Sequence, residues 1–375
     1  MKILFIASYS GIMGANLSML QLLIELKKLG CNVCVLLPDN GLLCEKLKEN
    51  NIQFVVSKFW LSLCDTSNLI NRFKGFIKTI INILAYVLAY YRIKKRFGKV
   101  DIIHSNSTVI HIGDFFNFIS GIPHVRHLRE FGDLDYCLKY PYGSKLCMLL
   151  MNKCTDKNIA ISESIINYYS QKGLHNIVLV YNGIPKNRIY ERVESDNINI
   201  LCMGVISPQK NQVQLIDAII PILNDYKDIK VYFLGPDDST YADNLKKYVR
   251  DNSLDNNIFF EGMQKDLSMY FKTALLGVVP SINEAFGRVT IEFMFNKIPV
   301  IASNKGCNLE LILNNKTGIL YDIENTEDLT KKIIEMITNK ELRSRISYEA
   351  QSLALNNYTS EINAMNVLSV YKLLV

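Results

Sequence analysis

Short apolar runs rich in Val, Ile and Leu alternate with longer amphipathic stretches along this chain, and after a polar break the alternation starts again. That pattern constrains the fold most. A short strand with no polar alternation is buried on both faces, the situation in a parallel sheet flanked by helices. The first series predicts strands at residues 3–8, 32–37, 52–56, 101–105, 123–127, 157–162 and 177–181, with a helix over 17–29. The second predicts strands at 198–205, 230–234, 258–261, 275–279, 299–302 and 318–321. Its helices are expected at 212–223, 241–251, near Leu267 and at 289–296. Helical stretches at 327–337, 341–356 and 360–374 have no strand after them, so they are expected outside the sheets.

At 375 residues the chain exceeds what one core ordinarily supports. Two domains are expected, residues 1–190 and 191–358, with a last helix in 359–375 packing back toward the first. The boundary is Asn182-Gly183-Ile184-Pro185 and the charged run 186–197. Hydrophobic residues at 49% and charged ones at 21% exclude a disordered chain. A net charge of +6 suits an anionic ligand or membrane surface, and no clustered basic and aromatic module points to nucleic acid. Nine cysteines scattered through apolar segments, and a start that runs from Met1 directly into a strand, predict a reducing cytoplasm. Cys31 and Cys34 form a C-x-x-C with no second Cys or His pair nearby, so buried thiols are expected rather than a metal or redox site.

Ligands of open α/β sheets bind beyond the strand ends, and three loops there carry candidate chemistry. The loop after the first strand holds Gly11 and Gly14 but is not G-x-G-x-x-G, and no acidic residue at the end of the second strand is well placed for a ribose, so a dinucleotide is only weakly indicated. The second loop, 204–211, places Lys210 at a helix start beside free N–H groups, a partner for phosphate. The third, 281–292, combines Gly287 with a following helix whose N–H groups and positive dipole end suit phosphate. Glu284 and Glu292 flank it and suit hydroxyls. On their own, these two glutamates and Lys210 are equally readable as solvated loop and helix-start residues. His124 and His127 lie along one strand, and a plain surface or hydrogen-bonded histidine is one reading of His127.

Residues 76–91 are apolar except for Lys78, Thr79 and Asn82, with Arg72 and Lys74 before them and Arg92, Lys94, Lys95 and Arg96 after. Sixteen residues are short for crossing a bilayer. A basic amphipathic helix on an anionic membrane surface and a core-facing helix of the first domain both fit.

Glu284-Ala-Phe-Gly-Arg-Val-Thr-Ile-Glu292, the Ile298-Pro-Val-Ile-Ala302 that follows, Lys210-Asn211-Gln212, Asn182-Gly183 and the Gly14 loop together resemble the retaining glycosyltransferase family 4. The resemblance implies an α/β chain of GT-B fold, two Rossmann-like domains facing a central cleft. It implies metal-independent, retaining transfer of a hexose from a UDP- or GDP-sugar, a substrate rather than a cofactor. The acceptor would be a glycan or lipid-linked glycan in surface polysaccharide biosynthesis, with the protein cytoplasmic or peripheral on the cytoplasmic face of the membrane. Carried over, Glu284 would contact donor hydroxyls, Lys210 would neutralise the leaving diphosphate, and His127 would lie near the transferred sugar. The backbone of Gly14, Ala15, Gly204, Asn211, Phe286, Gly287, Arg288 and Val289 would line the donor site. Glu292 would hold the ribose, Met263 would lie near the base, and Arg129 and Glu130 would position the acceptor. One departure stands out: the family commonly has arginine where this chain has Val205, and Arg288 is then the candidate second cation. The alternative reading is a non-catalytic nucleotide-sugar-binding homologue or partner subunit.

Overall fold

The computed structural model describes residues 1–12 and 14–375, which divide into two units, Met1–Gly183 with Ser360–Val375, and Ile184–Thr359. The first unit opens with β1 (Lys2–Ile6), α1 (Gly14–Lys28), β2 (Asn32–Leu37), α2 (Leu42–Glu49), β3 (Gln53–Val56), α3 (Leu69–Phe97) and β4 (Ile102–Ser105). It continues with α4 (Ile112–Ser120), β5 (His124–Leu128), α5 (Asp133–Tyr136), α6 (Ser144–Cys154), β6 (Lys157–Ala160), α7 (Glu163–Gln171) and β7 (Ile177–Leu179). All seven strands are parallel, in the order β3-β2-β1-β4-β5-β6-β7. The order reverses at β1, so right-handed crossovers put α1 and α2 on one face and α3, α4 and α6 on the other. Ile3, Leu4, Phe5 and Ile6 are buried accordingly.

The second unit runs β8 (Ile198–Met203), α8 (Gln212–Ile219), β9 (Ile229–Leu234), α9 (Thr240–Asp251), β10 (Ile258–Gly262), α10 (Ser268–Thr273) and β11 (Ala274–Val279). Then come α11 (Arg288–Phe295), β12 (Val300–Ser303), α12 (Asn308–Leu311), β13 (Ile319–Tyr321), α13 (Thr326–Thr338) and α14 (Lys340–Asn357). Its parallel sheet has the order β10-β9-β8-β11-β12-β13. α8 stops short of residue 223 because Pro221 has no N–H to continue the ladder, and Ile220–Ile222 go on as a 3-10 turn. The polar run 186–197 is not a free linker. Asn296 holds the Tyr190 N–H at 2.7 Å, and the Arg192 guanidinium donates to the Phe271 carbonyl at 2.9 Å.

α15 (Ser360–Lys372) belongs to the first unit and packs on α1. Ala364, Val367, Val370 and Tyr371 share a core with Met19, Leu22, Leu23 and Leu26.

α3 is longer than its apolar middle suggests. The Asn68 side chain accepts the Asn71 N–H at 2.8 Å, which caps its start, and Gly98 at φ 69° ends it after 29 residues. Gly75, Asn82, Tyr86, Ala89, Ile93 and Phe97 form its buried stripe. Asn82 clamps Trp60, accepting its N–H at 2.9 Å and donating to its carbonyl at 3.0 Å. Leu69, Phe73, Ile80, Leu84, Leu88 and Tyr91 are exposed, about 180° around the helix from that stripe. The core-facing reading therefore holds for one stripe only.

Candidate active site

Parallel strands all end on one edge of their sheet. In the second unit the neighbouring strands β10, β9 and β8 lead into Gly262, Gly235 and Gly204, at φ 63°, 151° and 133°, values that favour glycine. The Gly204 N–H donates to the Leu234 carbonyl and the Gly235 N–H to the Gly262 carbonyl, both at 2.9 Å. A Cβ on Gly235 would collide with the Gly204 carbonyl, so the two turns interlock. Val205 follows, 42% exposed, and Met263 is exposed beside Gly262.

Lys210 ends the 3-10 turn Pro208–Lys210, and its ammonium lies 2.5 Å from Glu284 Oε2. The other Glu284 oxygen accepts the Gly287 N–H at 3.4 Å. Burial works against the Lys210 charge, but the Glu284 carboxylate outweighs it, and the lysine holds its proton to higher pH than usual. Two backbone ties fix this loop: Ile282 N–H to the Gln209 carbonyl at 2.9 Å, and Cys307 N–H to the Glu284 carbonyl at 3.0 Å. Asn211 adopts φ 51°, and its side chain donates to Gln214.

Phe286 is buried and anchors the turn into α11. Gly287 caps that helix at φ 74°, where a Cβ would stand 2.6 Å from Leu311 Cδ1. In α11, Arg288 Nε donates to Glu292 Oε1 at 3.0 Å, and Arg188 Nη1 lies 3.5 Å from the same oxygen. Burial lowers the Arg288 pKa. Each carboxylate thus has its own cation. Arg288 is turned onto Glu292 instead of standing as a second cation beside Lys210, because the i, i+4 spacing on one helix face brings the two together. Val289 is half-buried in the first turn.

In the first unit, Asn16 donates to the carbonyls of Tyr9 at 2.8 Å and Gly11 at 2.9 Å, shaping the loop before Gly14. Gly14 is exposed at φ 43°, and the Ala15 carbonyl accepts from Asn106 at 3.3 Å. His127, in β5, is fully buried. Its Nδ1 lies 3.2 Å from His104 Nε2, and His104 Nδ1 lies 2.6 Å from the Tyr371 hydroxyl. Burial, reinforced by the Arg129 charge, holds both imidazoles well below the usual histidine range, so both are neutral. His127 Nε2 is buried with no hydrogen-bond partner among the described residues, an arrangement that costs about 1–3 kcal/mol until something fills it. His124 is spoken for: Ser105 Oγ lies 2.8 Å from Nε2 and the Cys154 carbonyl 2.7 Å from Nδ1.

Arg129 and Glu130 do not stand ready for an acceptor. Arg129 is buried, donating to Asn106 Oδ1 at 2.9 Å and to Asn182 Oδ1. Glu130 accepts from Ser107 Oγ at 2.5 Å and from the Thr108 N–H and hydroxyl at 2.8 Å, and burial raises its pKa. Sequence reasoning missed Tyr371 and His104, which only the tertiary fold brings to His127. It also missed Arg188, which reads as part of a polar linker. Gly235 and Gly262 carried a signal, a glycine directly after an apolar strand. All nine cysteines are free, Cys31 and Cys34 both buried. Among the described residues no group of three or more His, Cys, Asp or Glu side chains is arranged to hold a metal ion.

Two family descriptions match in tandem, Glycosyltransferase Family 4 over residues 12–188 and Glycosyl transferases group 1 over residues 183–353. The chain belongs to the family 4 glycosyltransferases. This glycosyltransferase is 28% identical over 296 residues to an uncharacterized glycosyltransferase of Methanocaldococcus jannaschii, covering 77% of this chain and 81% of the relative. It is 28% identical over 177 residues to the lipopolysaccharide core biosynthesis mannosyltransferase LpcC of Rhizobium leguminosarum, covering 46% of this chain and 50% of that one. The match thus spans about half the length of the Rhizobium relative. Among solved structures, Anabaena HepE in complex with UDP superposes over 100% of both chains with a TM-score of 0.83 at 20% identity. HepE in complex with UDP-glucose gives 0.82 at 19%, again over 100% of both chains. The glycosyltransferase therefore has the GT-B fold, built from two Rossmann-like parallel sheets.

Proposed function

We propose that this glycosyltransferase moves a hexose, with retention and without a metal ion, from a UDP- or GDP-sugar to a glycan or lipid-linked acceptor in surface polysaccharide biosynthesis. The observation that carries the reading is the Lys210–Glu284 pair, held beside the Gly287 turn at the start of α11. Negative charge grows on the leaving diphosphate as the glycosidic bond breaks, and an ammonium beside a helix N-terminus is matched to that charge. Lys210 takes this role, together with backbone N–H groups of Phe286, Gly287 and Arg288. Glu284 accepts from sugar hydroxyls and Glu292, oriented by Arg288, from the ribose. Gly204, Asn211 and Val289 shape the donor pocket and Met263 meets the base. In the first unit Gly14 and Ala15 offer backbone to the diphosphate, and His127 meets the transferred sugar. The bonds of Arg129 and Glu130 make them supports of the loop after β5 rather than acceptor contacts.

The nucleotide in the HepE complexes and the product class of the Rhizobium relative support donor and pathway. Purified protein is screened against a panel of nucleotide-sugars by thermal shift and by nucleotide release. A Lys210→Ala or Glu284→Ala enzyme as active as the parent sinks the assignment. The exposed Val205, where the family commonly has arginine, favours a second reading, a nucleotide-sugar binder without turnover. Binding with no nucleotide release in the presence of any acceptor extract would establish it.

The acceptor side is lipid-linked in this reading, with the protein peripheral on the cytoplasmic face of an anionic membrane. Its support is α3. Residues 66–100 contain eight Lys or Arg and no acidic residue. Between Lys74 and Arg92 the one charged side chain, Lys78, turns inward to the Leu63 carbonyl at 3.2 Å. α3 packs on α4 and α4 on α6, and Phe118, Ile119, Leu149 and Leu150 on those two helices are exposed as well. By length and composition α3 passes as a spanning helix, but its buried stripe and the Asn82 clamp tie it along the sheet, which supports a helix lying in the interface plane over one crossing the membrane. Vesicles of phosphatidylcholine and phosphatidylglycerol in equal parts should float the protein, and phosphatidylcholine alone should not. The Ile80→Asp, Leu84→Asp double variant should stay behind. Concentration-dependent dimers without vesicles, lost in that variant, would assign the surface to a second copy instead.

A further inference from the structure

Tyr371, His104 and His127 form a line of three buried rings in the first unit, and counting protons along it fixes what the last ring presents. Each neutral imidazole carries one N–H and one lone pair. The Tyr371 hydroxyl is fully buried, with His104 Nδ1 as its partner among the described residues. If the phenol accepted from His104, its own proton would be stranded with no acceptor, so it donates. His104 then holds its proton on Nε2 and donates to His127 Nδ1 at 3.2 Å. His127 is left with its proton on Nε2, the nitrogen that has no partner among the described residues. Phe5 stacks on His104 at 4.3 Å and Tyr371 meets its edge, so the middle ring cannot turn to undo the sequence.

We propose that Tyr371 and His104 are positioning residues that lock His127 in the Nε2-protonated tautomer, so that it presents an N–H donor to an oxygen of the transferred sugar. The proposal rests on the placement of His127 at that sugar given above. It has a mechanistic corollary. A ring already protonated at Nε2 has no lone pair there, so His127 orients and polarises a sugar oxygen but does not serve as the base that takes the acceptor proton.

Long-range proton–nitrogen NMR on nitrogen-labelled protein reads the tautomer of each histidine in the parent chain. His127 should show a protonated Nε2 and an unprotonated Nδ1, and the opposite pattern overturns the proposal before any variant is made. Tyr371→Phe should let the ring populate both tautomers and lower kcat about tenfold. A glutamine amide reproduces the Nε2 donor without needing a tautomer, so His127→Gln should retain more turnover than His127→Ala. In the His127→Gln background, Tyr371→Phe should then cost no further turnover. An equal loss in both backgrounds means that Tyr371 acts only by packing, and the positioning role is wrong. A His127→Ala enzyme with parental turnover, while the parent shows the expected tautomer, overturns the placement of His127 at the sugar and the role built on it.

Discussion

Replacing Lys210 with methionine keeps the length and apolar stem of the side chain and removes its charge. In the folded protein the ammonium lies 2.5 Å from Glu284 Oε2, with the two side chains 25% and 17% exposed. At that separation the attraction in water-like surroundings is about 1.7 kcal/mol, from which desolvation and lost side-chain freedom must be subtracted. The larger effect is what stays behind: a carboxylate that keeps the Gly287 N–H at 3.4 Å but has lost the ammonium would carry an incompletely compensated charge. Together these cost about 1–2 kcal/mol of stability in the second unit. The catalytic loss is separate and greater, about a hundredfold to a thousandfold in turnover, the scale for removing a group aimed at developing charge. Denaturant unfolding and nucleotide release are measured on Lys210→Met, on Glu284→Gln and on the double variant. Neutralising Glu284 should recover most of the stability lost in Lys210→Met and none of the activity. Because the folded pKa of Lys210 is raised, its contribution is complete below the unfolded value near 10.4 and disappears as pH rises through the folded value. Parental turnover in Lys210→Met, or no recovery of stability in the double variant, would refute the reasoning.

Other consequences are as direct. Arg288→Ala removes the 3.0 Å bond that orients Glu292, and nucleotide-sugar affinity should fall about tenfold; unchanged affinity and turnover would show that Arg288 has no part in the site. Gly287→Ala puts a Cβ at φ 74° and 2.6 Å from Leu311 Cδ1, which should cost about 1–3 kcal/mol in denaturant unfolding, and a parental midpoint would mean the turn relaxes freely. His104 and His127 are held neutral in the fold but charge when exposed, so unfolding takes up two protons below about pH 6.5. Stability of the first unit should drop by about 2–3 kcal/mol between pH 7 and 5.5, and a flat profile would contradict the burial of that pair.

The two parallel sheets were legible because strands buried on both faces read as unbroken apolar runs, as in residues 3–6 and 275–279. The second-unit loops were legible too: Lys210 lies shortly after one apolar strand, and Glu284, Gly287 and Glu292 lie shortly after another. What pairs with what was not. The i, i+4 spacing of Arg288 and Glu292 was a signal passed over, whereas nothing in a linear pattern pairs Lys210 with Glu284, 74 residues away. Helices α2, α4, α6 and α7 were passed over because their short apolar stripes fall between strong strand signals. The length of α3 was underestimated by reading its apolar middle and ignoring its cap signals, Asn68 and Gly98. Arg129 and Glu130 looked like free charges after a strand, and only the fold shows Arg129 buried against Asn106 and Asn182 and Glu130 bonded to Ser107 and Thr108.

The return of Ser360–Val375 to the first unit makes the second unit an insertion, entered after Gly183 and left after Thr359. On the ribosome this sets an order of events. The outer stripe of α1, made early, waits for α15 while the whole intervening unit is synthesised, and that unit can close its own core in the meantime. Tyr371 arrives last of all, so the ring system that orients His127 is assembled only after both sheets exist.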